Sequence, residues 1–99
     1  MREQRYKQKI LVVDDSEMNR AILSEMLGEE YEIIEAENGV QAIALLQKYE
    51  SELSLVLLDI VMPEMDGFGV LSVMNQRHWI SEVPVIMISA ESAFTHMER

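Results

Sequence analysis

Apolar residues follow two rhythms along this chain, short unbroken runs and stripes that return every three or four positions, and the two alternate. Ile10, Leu11, Val12 and Val13 form a run that stops at two carboxylates, Asp14 and Asp15, as a strand buried on both faces does. Ser16 then offers an N-cap to a helix in which Met18, Ile22 and Met26 recur every fourth position beside Ala21 and Leu27, with Gly28 as its stop signal. Residues 31–35, apolar but interrupted by acids, suit a sheet edge better than a centre. A turn is expected at Asn38 and Gly39, and then a second helical stripe through Ala42, Ile43, Leu46 and Tyr49. The most continuous apolar run, residues 53–58, reads as a central strand ending at Asp59. Pro63 holds the next loop out of a helix until Asp66 caps a third one, with Val70, Leu71 and Met74 on its inner face. Pro84 precedes a last strand of Val85, Ile86, Met87 and Ile88 ending at Ser89, and residues 92–99 read as the opening turns of a fourth helix.

Strands alternating with helices in this way predict the α/β class, with right-handed crossovers and a parallel sheet covered by helices on both faces. In such a sheet ligands bind beyond the carboxyl ends of the strands. With 99 residues the chain has room for one core, so a single domain is expected over 1–99, with residues 1–8 as a loose polar leader. Hydrophobic residues at 48% and charged ones at 26% predict a folded chain. The net charge of -10 argues against direct nucleic-acid binding and against docking on an anionic membrane. Without cysteine there is no disulfide framework, thiolate metal site or thiol nucleophile. No apolar run approaches a membrane span and no targeting segment is present, so a soluble, cytoplasmic chain is expected.

The strand ends gather the candidate chemistry: Asp14 and Asp15 after the first strand, Asp59 after the third, Ser89 after the fourth. Carboxylates meeting at one rim repel each other and call for a cation. Magnesium suits them, because it takes hard oxygen ligands from one or two carboxylates, water and a phosphate, whereas zinc would look for Cys or His. Beside such an ion an Asp can attack phosphorus to form an acyl phosphate; Asp59 stands alone and is the candidate nucleophile, Asp14 and Asp15 are the metal-holding pair, and the Ser89 hydroxyl can bond a phosphoryl oxygen. Strand-end carboxylates also cap helices, and periodicity alone does not decide between the two readings.

Four stretches together resemble the receiver domain of two-component response regulators: Ile-Leu-Val-Val-Asp-Asp at 10–15, Asn-Gly at 38–39, Leu-Leu-Asp-Ile-Val-Met-Pro-Glu-Met-Asp-Gly at 57–67 and Pro-Val-Ile-Met-Ile-Ser-Ala at 84–90. The resemblance implies a flavodoxin-like (chemotaxis-receiver-like) fold with strand order 2-1-3-4-5. It implies that Asp59 accepts a phosphoryl group from a sensor histidine kinase or a histidine phosphotransfer protein, in a phosphorylation-controlled switch with no activity beyond self-phosphorylation and autodephosphorylation. Asp15 and Asp59 would ligate Mg2+ directly, Asp14 mainly through water, and Val61 through its backbone carbonyl. Ser89 would be the switch hydroxyl and Ala90 the small residue that leaves room for the phosphoryl group. The family's Lys and aromatic residue of a fifth strand have no counterpart before Arg99, and Lys7, Lys9 and Lys48 stand at the wrong positions. A truncated receiver is therefore expected, lacking the fifth strand and last helix, with an output domain following it in the full protein.

An open fourth strand, with uncovered apolar surface on the first and third helices, would favour a homodimer or exchange of elements. His78 and His96 lie outside the acidic rim, the eight methionines fit a gap-filling role, and Trp79 is expected to anchor the loop before the fourth strand. Gly67 and Gly69 lack the third glycine of a nucleotide loop. Two rival readings are a receiver-like module that docks without phosphorylation and a magnesium-dependent phosphohydrolase. The second is weakened because its haloacid dehalogenase form needs Asp-x-Asp after the first strand.

Overall fold

The computed structural model describes residues 7–60, 62, 65–81 and 83–88. Strand β1 (Gln8–Val13) leads through helix α1 (Glu17–Leu27) to β2 (Tyr31–Ala36), and α2 (Gly39–Tyr49) leads to β3 (Leu53–Asp59). Helix α3 (Gly67–Gln76) then leads to β4 (Val85–Ile88). The four strands lie parallel in the order β2-β1-β3-β4, the flavodoxin-like order, so the alternating pattern of the sequence is realised element by element. Val61, Ser89, Ala90, His96 and the expected fourth helix lie outside the described residues.

Strand β1 sits between two neighbours because its run is apolar on both faces: Ile10, Leu11, Val12 and Val13 are each no more than 3% exposed. The acid-interrupted β2 takes the edge, where Glu32 and Glu35 reach water. Gln8 pairs with Tyr31 and so belongs to β1. Alternation along the strands splits the core. Leu11, Val13, Val56 and Leu58 pack with Ala42 and Leu46 of α2 and with Val70 and Met74 of α3. Those eight residues are essentially inaccessible.

The caps are local and legible. Ser16 Oγ accepts the Asn19 amide at 3.2 Å, and Asp66 Oδ1 accepts the Gly69 amide at 2.9 Å. At Asn38 and Gly39 the expected turn is instead the start of α2: Asn38 Oδ1 accepts the Gln41 amide at 2.8 Å, and its carbonyl accepts the first intrahelical bond from Ala42. An Asn-Gly pair carries a turn signal, but here the amide side chain serves as a helix cap. Trp79 opens the short 3-10 turn Trp79–Ser81, packs on the core and accepts the Val83 amide through its carbonyl, which fixes the entry to β4. His78 is exposed just past α3 with φ of 64°, a left-handed helix end.

Helix α1 carries the uncovered apolar surface expected of it. Its stripe is amphipathic as expected, the helix contains no buried residue, and Met18, Ile22 and Met26 are 71%, 49% and 70% exposed. A period of four defines an apolar face without defining what covers it, and among the described residues nothing does. Below that helix, Leu27, Ile10, Tyr31, Leu55 and Leu57 line an apolar groove of about 430 Å³. The uncovered surface expected on α3 is confined to Phe68, since Val70 and Met74 are fully buried.

Candidate functional site

The register of the sheet builds the site. Val13 is paired with Leu58 in the neighbouring strand, so the residues that follow, Asp14 and Asp59, leave the two strands side by side. One carboxylate oxygen from each of Asp14, Asp15 and Asp59 lies within 4.8 Å of the others. Asp14 is nearly inaccessible, Asp59 half-buried and Asp15 exposed. The acids predicted to meet therefore do meet, at the carboxyl edge of the sheet.

The capping reading loses its hold. Ser16 caps α1 and Asp66 caps α3, so none of the three clustered acids fills either role. Asp14 is instead fixed by three hydrogen bonds: its amide donates to the Ala36 carbonyl at 3.0 Å, Oδ1 accepts the Ser16 amide at 2.9 Å, and Oδ2 accepts Asn19 Nδ2 at 3.4 Å. Among the described residues the clustered donors are carboxylate oxygens, with no sulfur or imidazole, a set that fits a hard divalent cation of the magnesium kind.

Two glycines bring the loop after β3 against this edge. Gly67 donates its amide to the Ile60 carbonyl at 2.8 Å, and a Cβ built there would lie 2.5 Å from the Asp59 carbonyl oxygen and 2.8 Å from Ile60 Cα. A Cβ at Gly39 would lie 2.6 Å from the Met65 carbonyl oxygen. Both positions require the absence of a side chain because backbone approaches backbone.

Sequence reasoning missed two residues that bond to Asp14, Asn19 and Arg20, and two that stand behind them, Glu35 and Ser24. Asn19 donates to the Asp14 carboxylate; Arg20 Nη1 donates to the Asp14 carbonyl at 2.7 Å, while Arg20 Nε donates to Glu35 Oε1 at 3.0 Å. Ser24 Oγ donates to the other oxygen of Glu35 at 3.0 Å. One signal was available: a cation in the opening turn of a helix faces the positive end of the macrodipole and needs a compensating partner. The cation–π pairs, Lys48 over Tyr49 and Arg77 over Trp79, lie on other elements and do not enter the site.

A parallel sheet in this order with three carboxylates at its carboxyl edge is the arrangement that the receiver resemblance leads one to expect. The chain belongs to the response regulator receiver domain family, whose profile matches residues 10–99. It is 44% identical over 87 residues to a probable transcriptional regulator, ycf27, of Porphyra purpurea, covering 85% of this chain and 33% of that protein. It is 41% identical over 83 residues to a probable cyclic di-GMP phosphodiesterase of Vibrio cholerae, covering 84% of this chain and 18% of that one. Among solved structures, the chemotaxis response regulator CheY4 of Vibrio cholerae superposes with a TM-score of 0.76 at 30% identity, over 83% of this chain and 68% of that one. The chain thus spans a third or less of these two curated relatives. No described helix is long and apolar enough to cross a membrane.

Proposed function

We propose that this chain is a phosphorylation-controlled switch in which Asp59 accepts a phosphoryl group from a phosphohistidine on a sensor histidine kinase or histidine phosphotransfer protein. The convergence of Asp14, Asp15 and Asp59 at the carboxyl edge of a receiver sheet carries this reading. One carboxylate oxygen of Asp59 bonds to phosphorus while the bond from phosphorus to the donor's imidazole nitrogen breaks, and the electron pair leaves with that nitrogen, which is then protonated. Bound magnesium would neutralise charge developing on the phosphoryl oxygens. Asp15 and Asp59 would ligate it directly and Asp14 through water, with the Val61 carbonyl as a further ligand. Ser89 would hydrogen-bond the phosphoryl group, and Ala90 would leave space for it. The readout would pass to an output domain; of the two curated relatives, one is named a probable transcriptional regulator and the other a probable cyclic di-GMP phosphodiesterase. A cytoplasmic setting follows from a kinase partner.

Incubation with magnesium and a small-molecule phosphodonor is expected to add one phosphoryl group to the intact mass. Peptide mapping should place that group on the segment containing Asp59. Uptake on a His or Ser peptide, or no uptake at all, would overturn the reading.

A second mode of action, docking on a further copy of the chain, is favoured by one observation. Among the described residues β4 pairs only with β3, and Ile86 on it is 51% exposed. Self-association should appear as a sedimentation mass that rises with concentration. A constant monomer mass would sink that mode and leave the switch untouched.

A further inference from the structure

Three polar side chains outside the acidic trio, the Arg20 guanidinium, the Glu35 carboxylate and the Ser24 hydroxyl, form one connected chain that starts at the Asp14 carbonyl. Arg20 is the hinge of that chain. Its side chain is only 14% exposed, and its two donor nitrogens serve two acceptors on different elements, the end of β1 and the edge strand β2. The Asp14 carbonyl belongs to the same peptide unit as the Asp15 amide, so the guanidinium fixes the plane from which Asp15 departs. The other side of Asp14 is tied by its amide to Ala36, one residue beyond Glu35. Both ends of Asp14 are thereby referred to β2, and a single bidentate cation closes the circuit.

We infer that Arg20 and Glu35 are positioning residues for the cation site: they act through Asp14 to hold the Asp14–Asp15 peptide in the orientation that lets both carboxylates face Asp59. The inference rests on the reading of the acidic trio as a magnesium site. Groups that orient metal ligands without touching the metal typically matter about 10- to 100-fold in affinity. Arginine is suited to the task because its planar fork reaches two acceptors in fixed directions, whereas a lysine ammonium on a flexible stem is a point charge. Glu35 keeps the fork in place and balances its charge, so that the cation beside the site does not compete with the metal. Ser24 occupies the second oxygen of Glu35 and fixes its rotamer.

Magnesium affinity, read by calorimetry, separates this from a merely structural role. Arg20→Met is expected to weaken magnesium binding about tenfold or more. Arg20→Lys, which keeps the charge but not the fork, should recover little of it. Glu35→Gln should weaken binding less than Arg20→Met, and the double variant should lose no more than Arg20→Met alone, because both changes break one chain. Thermal unfolding in chelator identifies the structural alternative: if the Arg20 variants unfold earlier but bind magnesium with wild-type affinity, the inference fails. Full recovery in Arg20→Lys also overturns it, since charge alone would then suffice. A wild type that binds no magnesium overturns both the metal reading and the inference, whereas a binding wild type with unaffected variants overturns the inference alone.

Discussion

Asp59→Asn is expected to abolish phosphoryl incorporation under conditions in which the wild-type chain gains one group. An amide has no anionic oxygen to attack phosphorus, and no described neighbour can substitute for it: Asp14 is nearly inaccessible and already bonded to Ser16 and Asn19, while Asp15 lies on the exposed side of the strand end. The second effect is on the metal. At a magnesium concentration a hundred times its dissociation constant, binding stabilises the native state by about 2.7 kcal/mol. In a domain of this size each kcal/mol is worth about 4–8 °C in melting temperature, so the wild type should melt roughly 10 °C or more higher with magnesium than with chelator. In Asp59→Asn most of that increment should vanish, since one of three carboxylates is gone. Intact mass and paired melts with and without chelator check both parts. A variant that still takes up phosphoryl places the acceptor elsewhere.

The second large effect is predicted for Gly67→Ala. The added methyl carbon would meet the Asp59 carbonyl oxygen at 2.5 Å and Ile60 Cα at 2.8 Å, both backbone atoms that no rotamer change can move away. Overpacking of that kind costs about 1–3 kcal/mol. Relief can come only from shifting the end of β3, which also breaks the Gly67–Ile60 hydrogen bond and displaces Asp59 from Asp14 and Asp15. Gly69→Ala is the control. There the new methyl meets Met65 Cγ at 2.7 Å, part of a flexible side chain, while alanine within a helix gains about 0.5–1 kcal/mol over glycine. Urea unfolding should therefore show a clear loss for the first substitution and a near-neutral result for the second, and magnesium affinity should fall only in the first. Equal losses would mean that backbone crowding beside Asp59 is not what Gly67 prevents.

Much of this molecule is written in the period of its hydrophobic residues. The runs at 10–13 and 53–58 read as central strands because they are short, nearly unbroken in apolar character and end at carboxylates, and the structure puts both in the middle of the sheet. The acids that end them were legible as a site because strand ends in a parallel sheet share one rim. Two kinds of information were not in the pattern. The environment of the α1 stripe depends on what lies over it, a tertiary fact: the pattern gives an amphipathic helix, and only the structure shows how far Met18, Ile22 and Met26 stand exposed. The support around Asp14 depends on side chains distant in sequence, Arg20 and Glu35, whose meeting is fixed by the crossover of α1 over β1 and β2. The Asn38–Gly39 pair shows a third limit, in which one dipeptide serves equally as a turn or as the start of a helix.

The central place of β1 also sets an order of events as the chain leaves the ribosome. This strand emerges before its partners, yet its two neighbours are β2, which needs α1 made first, and β3, which arrives only after a second crossover. Pairings such as Ile10 with Leu55 are distant in sequence and slow to close, so this apolar strand waits until β3 arrives for cover on its second side. Nascent chains halted after β2 should accordingly be better clients for a chaperone that grips short apolar stretches than chains halted after β3.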